Sequence, residues 1–193
     1  MRNLKIVEHM SLDGVIQNTA DGDDFPYVDW TAPYRSAEAG AAVFEGHGDR
    51  FDLLLGRLTY DLWTEIFPQM PSNPVADRIN AATKYVVTNR PESLEWGPVE
   101  SVGSDIVDGV RRIKGTSGPN LVLSGSSTLT TTLLEHGLAD EILLITYPVL
   151  MGTGKRLFAE GTPGQTYDLA DTKALPSGLI LTTYKPTGPL KPT

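Results

Sequence analysis

The segment Asp52-Leu53-Leu54-Leu55-Gly56-Arg57-Leu58-Thr59-Tyr60 constrains the fold of this chain more than any other. A short apolar run with no polar face is a strand buried on both sides, as in a sheet covered by helices on both faces. Residues just past such a strand lie at its carboxyl end, where open α/β sheets bind their ligands. Gly56 permits close approach of backbone to a ligand, and Thr59 can cap a helix or offer its hydroxyl to a phosphate. Arg57 is out of place by itself, because a cation at a helix start opposes the macrodipole. Two readings stay open here. A bound phosphate gripped by the guanidinium resolves the conflict. So does an Arg57–Asp61 pair one turn apart, which contributes only about 0.3–0.5 kcal/mol.

The rest of the chain repeats the strand–helix alternation. Leu4 to Met10 predicts a first strand, followed by a turn at Ser11-Leu12-Asp13-Gly14 and a polar loop from Asn18 to Asp24. Ser36 to Glu45 predicts a helix closing at Gly46-His47-Gly48, and Thr59 to Ile66 another. Pro74 suits the first turn of a third helix, through Ile79. Lys84 to Thr88 is a strand, and Asp105 caps a helix whose Ile106, Val110 and Ile113 share one face. Leu121 to Leu123 runs into Gly125-Ser126-Ser127-Thr128 and a helix striped by Leu129, Leu133 and Leu134. Glu141 to Tyr147 predicts a further strand, and Tyr167–Ala170 with Leu179–Tyr184 a closing pair without an intervening helix. The expectation is an α/β protein of one domain over residues 1–185: a mostly parallel central sheet, helices on both faces, an antiparallel C-terminal edge and a flexible tail at 186–193.

Composition narrows the class of function. A formal net charge of −8 argues against a broad nucleic-acid surface, while leaving room for an anionic cofactor held by local arginines and helix ends. The absence of cysteine excludes disulfides, thiolate ligands and a cysteine nucleophile, and fits a cytoplasmic location. No run approaches the roughly 18 apolar residues needed to span a bilayer.

Three strand ends carry glycine, hydroxyl or cationic residues: Gly56-Arg57-Leu58-Thr59, Thr88-Asn89-Arg90 and Gly125-Ser126-Ser127-Thr128. In a parallel sheet all three emerge on one edge, where helix N-termini and two arginines suit a ligand with several phosphates. Each alone is an ordinary set of caps. No G-x-G-x-x-G follows the first strand, which disfavours an ordinary Rossmann site. Gly152-Thr153-Gly154-Lys155 ends like a P-loop, but Val149 stands where its first glycine belongs and Arg156 where its Ser/Thr belongs. No metal site is expected, since the histidines do not cluster and His47 with Glu45 and Asp49 is an ordinary surface loop. His9 reads as a core histidine, and Asp13 with Gly14 as a turn.

The order of these motifs resembles the dihydrofolate reductase superfamily, and within it the RibD C-terminal-domain proteins of the riboflavin pathway. The likeness runs from Leu4 to about Tyr184. It rests on Met10-Ser11-Leu12-Asp13-Gly14, Gly56-Arg57-Leu58-Thr59-Tyr60, Val86-Val87-Thr88-Asn89-Arg90 and the block from Leu121 to Phe158. The resemblance implies a dihydrofolate-reductase-like three-layer fold and an NADPH-dependent reductase, acting on a small heterocyclic or carbonyl compound such as a pteridine or pyrimidine. It places Arg57 on the cofactor's 2′-phosphate, Thr59 and the Gly125 to Thr128 turn on the pyrophosphate, Thr88, Asn89 and Arg90 near the adenosine, and Val15, Ile16 and Gln17 in the loop beside the nicotinamide, with Gly56 also among the cofactor-binding residues.

It further implies a homodimer, for which Ile142–Leu150 offers an apolar contact, and a cis peptide at Gly125–Ser126. The acid that folate reductases aim at the pterin falls near Gly40, with Glu38 and Glu45 only as neighbours. Asp13 is therefore the expected catalytic carboxylate. The alternatives are an NADPH-binding redox sensor with little turnover, and a genuine dihydrofolate reductase.

Overall fold

The computed structural model describes residues 1–20 and 24–191, so part of the expected Asn18–Asp24 loop lies outside the described residues. Its centre is one eight-stranded sheet in the order β4-β3-β2-β5-β1-β6-β8-β7. The strands are β1 (Leu4–Met10), β2 (Phe51–Gly56), β3 (Lys84–Val87), β4 (Val99–Ser101), β5 (Asn120–Ser124), β6 (Glu141–Thr146), β7 (Gln165–Ala174) and β8 (Ile180–Pro189). The first six in this list run parallel to their neighbours, and β8 runs antiparallel to both β6 and β7. The expected mostly parallel sheet with an antiparallel C-terminal edge is the observed one.

The helices are α1 (Ala37–His47), α2 (Arg57–Ile66), α3 (Pro74–Ala81), α4 (Ile106–Gly115) and α5 (Ser127–Glu135). Several begin as the sequence predicts: Ser36 accepts from the Ala39 N–H at 3.0 Å, Asn73 caps α3 with Pro74 behind it, and Asp105 accepts from the Asp108 N–H at 2.9 Å. None of the described helices is long and apolar enough to cross a membrane.

Strand alternation divides the core in two. Val7, Leu53, Leu55, Val122, Leu143 and Ile145 face α1 and α3, while Leu4, Ile6, Leu54, Leu121, Leu123 and Ile142 face α4 and α5. The apolar stripe of α4 seats Val110 and Ile113, and that of α5 seats Leu129, Leu133 and Leu134, all buried. The sheet thus forms the middle of three layers.

Four expectations are corrected. Residues 186–189 are not a tail: Pro186, Gly188 and Pro189 pair with Tyr167, Thr166 and Gln165, extending an exposed hairpin whose polar residues gave no alternation to read. Strand β4 was not anticipated, because three half-exposed residues carry too little pattern. Within Ile142–Leu150, the β6 residues Ile142 to Ile145 offer no strand edge or open sheet face for a dimer, since β6 lies between β1 and β8 and they are in the core, whereas Leu150 is exposed. The Gly125–Ser126 peptide is trans, the cis bond among the described residues being Gly97–Pro98; the chain turns there through positive φ at both Gly125 (79°) and Ser126 (78°).

The amino-terminal edge of the sheet is fastened by a buried ion pair. Arg2 donates to the Asp52 carboxylate, to the Pro119 carbonyl at 2.5 Å and to the Tyr85 hydroxyl at 3.2 Å, while Asp52 also accepts from the Thr83 N–H at 3.1 Å. Removing one partner of such a pair strands the other charge in a dry site, at a cost of about 3–5 kcal/mol. Asp52→Asn should lower unfolding free energy by that order in chemical denaturation. Ligand affinity at the opposite edge should not change.

Candidate active site

Parallel pairing brings the carboxyl ends of β1, β2, β3 and β5 to one edge, and with them all three glycine- and hydroxyl-bearing turns. There a cleft of about 550 Å³ is lined by Gly56, Arg57, Thr59, the Gly125–Thr128 turn, the loop at 16–19, Lys155 and Glu8. Two helices point their N-termini into this region. Helix α2 starts directly after Gly56 with no side-chain cap and no acidic residue in its first turn, so its leading N–H groups are not taken by a cap. Helix α5 starts at the end of the 125–126 turn and also has no acidic residue in its first turn. Oriented N–H groups and the positive ends of two dipoles make this an anion site.

The turn is packed to fit. A Cβ on Gly125 would lie 2.8 Å from Thr59 Oγ1, and φ of +79° there favours glycine independently. Arg57 is held at the rim by Asp61, with Nε to Oδ1 at 2.8 Å, and by Ser93 Oγ at 2.6 Å. The Asp61 carboxylate raises the guanidinium pKa further above its ordinary value. Both readings of Arg57 therefore coexist: it pairs one turn along its helix and still lines the cleft. It also borders a second hollow of about 330 Å³ formed with Thr88, Asn89, Arg90, Gly103, Ser104 and Ile106. Anion-binding backbone and two hollows that share Arg57 fit a dinucleotide with a further phosphate.

On the other face of the sheet lies a separate cavity of about 280 Å³, between β1 and α1. Its walls include His9, Tyr34, Arg35, Gly40, Phe44, His47, Trp63, Phe67 and Tyr147, with no carboxylate among the described lining residues. Consecutive β1 residues alternate between faces, so Glu8 meets the cleft and His9 meets this cavity. His9 Nδ1 and the Tyr147 hydroxyl are 2.7 Å apart, and Trp30 and Tyr34 stand edge-on to the Tyr147 ring. Burial pushes His9 down to about 4 and Tyr147 up to about 12, so the pair is neutral around pH 7.

The profile of the RibD C-terminal domain matches residues 3–181. The chain belongs to that family. A relative from Bacillus subtilis (strain 168), the uncharacterised protein YyaP, is 26% identical over 180 residues, covering 91% of this chain and 90% of its own. Among solved structures, a putative riboflavin biosynthesis protein from Shewanella sp. PV-4 superposes with a TM-score of 0.75 at 21% identity, over 96% of this chain and 99% of that one. A dihydrofolate reductase from Enterococcus faecalis complexed with NADP(H) superposes with a TM-score of 0.62 at 14% identity, covering 96% of both. At such identities the two structures establish the dihydrofolate-reductase-like fold of this RibD C-terminal-domain protein.

Of the residues singled out in the sequence, Ile16, Gly56, Arg57, Thr59 and Gly125 to Thr128 line the cleft, and Thr88, Asn89 and Arg90 line the hollow that shares Arg57. Asp13 is not with them. Its carboxylate accepts from Ser11 Oγ at 2.7 Å and from the Met151 and Gly152 N–H groups at 3.1 and 2.9 Å, with Arg156 beside it. The Ser11 hydroxyl and these backbone donors pull its pKa down to about 2, so near neutrality it holds no proton to donate. Its role is to fasten the loop at 151–152 to the end of β1, in place of the catalytic part expected of it.

Gln17, expected beside the nicotinamide, also lines the cleft, whereas sequence reasoning missed Glu8, Asn18 and Lys155 there and Tyr147 in the cavity. Lys155 had a signal: the Gly-Thr-Gly-Lys run is not a P-loop, yet it delivers a lysine to the same place. Glu8 carried one too, as a carboxylate inside an otherwise apolar strand.

A depressed carboxyl pKa stabilises the fold above its unfolded value and loses that contribution as pH falls through its folded value. Asp13→Asn should therefore melt below wild type at pH 7. The gap should close as pH falls from about 4 to about 2 in thermal melts.

Proposed function

We propose that this protein is an NADPH-dependent reductase, with the dinucleotide in the cleft and its nicotinamide reaching past the carboxyl ends of β1 and β5, where Ser124 lines the cavity and Gly125 the cleft, to touch a small conjugated carbonyl or C=N compound held in the cavity. One observation carries the reading: two helix N-termini, Arg57 and Lys155 converge on a single cleft at the carboxyl edge of a parallel sheet. The fold shared with a reductase complexed with NADP(H), and a structural neighbour described as a putative riboflavin biosynthesis protein, support it. When bound, the reduced nicotinamide supplies the hydride.

The chain's own residues do the rest. The first-turn N–H groups of α2 and α5 receive the pyrophosphate, with the Thr59, Ser127 and Thr128 side chains beside them. Arg57, between the cleft and its neighbouring hollow, meets the 2′-phosphate, and Arg90 and Asn89 border the adenosine. On the other face, Trp63, Phe67 and Phe44 enclose a planar ring in a largely apolar wall, which excludes water. The His9–Tyr147 pair is the proton donor. Whichever of the two carries the proton in their shared bond, the His9–Tyr147 pair keeps one further N–H or O–H to give, and neither group is ionised near neutrality.

Charge-assisted hydrogen bonds contribute about 1.5–3 kcal/mol, so NADPH should bind more tightly than NADH and Arg57→Ala should erase most of that difference in calorimetry. Equal affinities in the wild type would overturn the proposal. Tyr147→Phe should lower turnover by about 10²–10⁴-fold and leave the NADPH dissociation constant unchanged, as steady-state and binding measurements can separate. Dihydrofolate should turn over feebly. Glu38 is exposed, and Glu45 is tied to Lys173 at 2.9 Å on the surface, so neither supplies the ring-facing carboxylate.

A further inference from the structure

Glu8 has no part in the function proposed above. It is 6% exposed, sits on β1 opposite Leu144 of β6, and lines the cleft beside Gly125. Its Oε1 is buried with no hydrogen-bond partner, and the backbone of Gly125 lies near enough to favour the charged carboxylate slightly. Asn18 Oδ1, on the opposing loop of the same cleft, is likewise buried and unpartnered. Two of the three such atoms among the described residues thus line one cleft. Polar atoms stripped of water and left unpaired are destabilising, and their concentration here marks where a ligand completes the bonding.

The chemistry of the ligand group follows from the two atoms. A carboxyl without a neighbouring counter-charge neutralises when buried, so Oε1 can carry a proton and donate. Asn18 Oδ1 accepts. One donor and one acceptor in a desolvated wall are complementary to a primary carboxamide, which carries a carbonyl and an NH₂.

We infer that Glu8 is a positioning residue for the nicotinamide end of the dinucleotide: its protonated Oε1 donates to the carboxamide oxygen, and Asn18 Oδ1 accepts from the carboxamide NH₂. This rests on the proposed function. It makes cofactor binding depend on a proton that the protein must hold. Burial raises the Glu8 carboxyl to about 8, against a smaller lowering by Gly125. The charged groups lining the same cleft are Arg57, itself paired with Asp61, and Lys155; His9 lies on the opposite face of the strand.

The test is calorimetric titration of NADP⁺ at pH 7, 8 and 9 in buffers of different ionisation enthalpy. This window lies above the second ionisation of a phosphate monoester, at about 6. Wild type should take up about half a proton per NADP⁺ at pH 8 and bind about tenfold more weakly at pH 9 than at pH 7. Glu8→Gln, whose amide donates at every pH, should show no uptake and a flat affinity, and Glu8→Met should bind weakly throughout.

A cofactor-free readout accompanies it. A folded carboxyl pKa above the unfolded value makes stability fall as pH rises from about 4.5 to about 8, and level off beyond. The stability difference between wild type and Glu8→Gln should show this decline, since the rise contributed by the buried His9 between about 4 and about 6.5 is common to both. Binding without proton uptake, or uptake that persists in Glu8→Gln, overturns the role of Glu8 and leaves the reductase reading standing. No NADP⁺ binding by wild type at any pH overturns both.

Discussion

Parallel pairing of β2 with β5, and of β5 with β1, is the constraint on which the rest of the molecule depends. Parallel strands must all end on the same edge, so every turn that follows one is delivered to a common place whatever the loops between them do. Gly56 and Gly125 belong to turns 69 residues apart, yet a Cβ on Gly56 would lie 3.4 Å from the Ser126 Cβ. Because α2 and α5 start in these turns without acidic residues in their first turns, the positive ends of both dipoles accumulate at that contact. A shift of register by one residue in β5 would turn Leu121 and Leu123 away from α4 and α5 and dismantle the turn at the same time.

The carboxyl edge, where the ligand is proposed to bind, holds two of the three buried side-chain oxygens without a partner among the described residues, whereas the charges buried at the opposite edge are paired. At the amino-terminal side, Arg2 is matched by Asp52, Tyr85 and Pro119, and Lys114 by Asp140 at 2.5 Å and the Leu138 carbonyl at 2.6 Å. At the carboxyl side, Glu8 and Asn18 each leave a buried oxygen without a partner, and α2 lacks a side-chain cap. Paired charge and the proposed binding site thus lie at different ends of the same strands. Asp13 marks the boundary: its bonds to the Met151 and Gly152 N–H groups close a loop onto β1 and keep it in place beside the cleft.

Much of this was legible in the sequence because its signals are local. Leu53 to Leu55 with no polar face, the caps Ser36, Pro74 and Asp105, and the stripe of Leu129, Leu133 and Leu134 each reflect interactions within a few residues, and each element formed where expected. The three ligand-edge turns were legible through topology, since a parallel sheet fixes their side without fixing their distances. What was not legible depends on long-range partners. Asp13 looks like a free carboxylate in a turn until residues 138 and 139 positions further on supply backbone donors. Tyr147 becomes a candidate acid only through His9, on a strand that shares no local pattern with it. The polar hairpin β7–β8 escaped because pairing in an exposed ribbon is carried by backbone bonds, which leave no hydrophobic period behind.

Glu8 and His9 show how little chain separates the two halves of the proposed chemistry. Adjacent residues on a strand point to opposite faces, so one peptide unit of β1 presents a carboxyl to the cleft and an imidazole to the cavity. Burial acts on them in opposite senses, raising the acid and lowering the base, and the outcome is the same: both are neutral near pH 7. Neutrality matters because a dinucleotide brings several negative charges. An ionised Glu8 would repel them across a dry wall, and a protonated His9 would set a charge in a largely apolar one. The charged residues of the cleft and the cavity besides Glu8 and the histidines are Arg57, Lys155 and Arg35, of which Arg57 and Arg35 each hold a carboxylate, Asp61 and Asp29 respectively. Neutral groups on both faces of β1 can then orient, by hydrogen bonds, a hydride donor and acceptor that meet past the strand ends, where Ser124 lines the cavity and Gly125 the cleft.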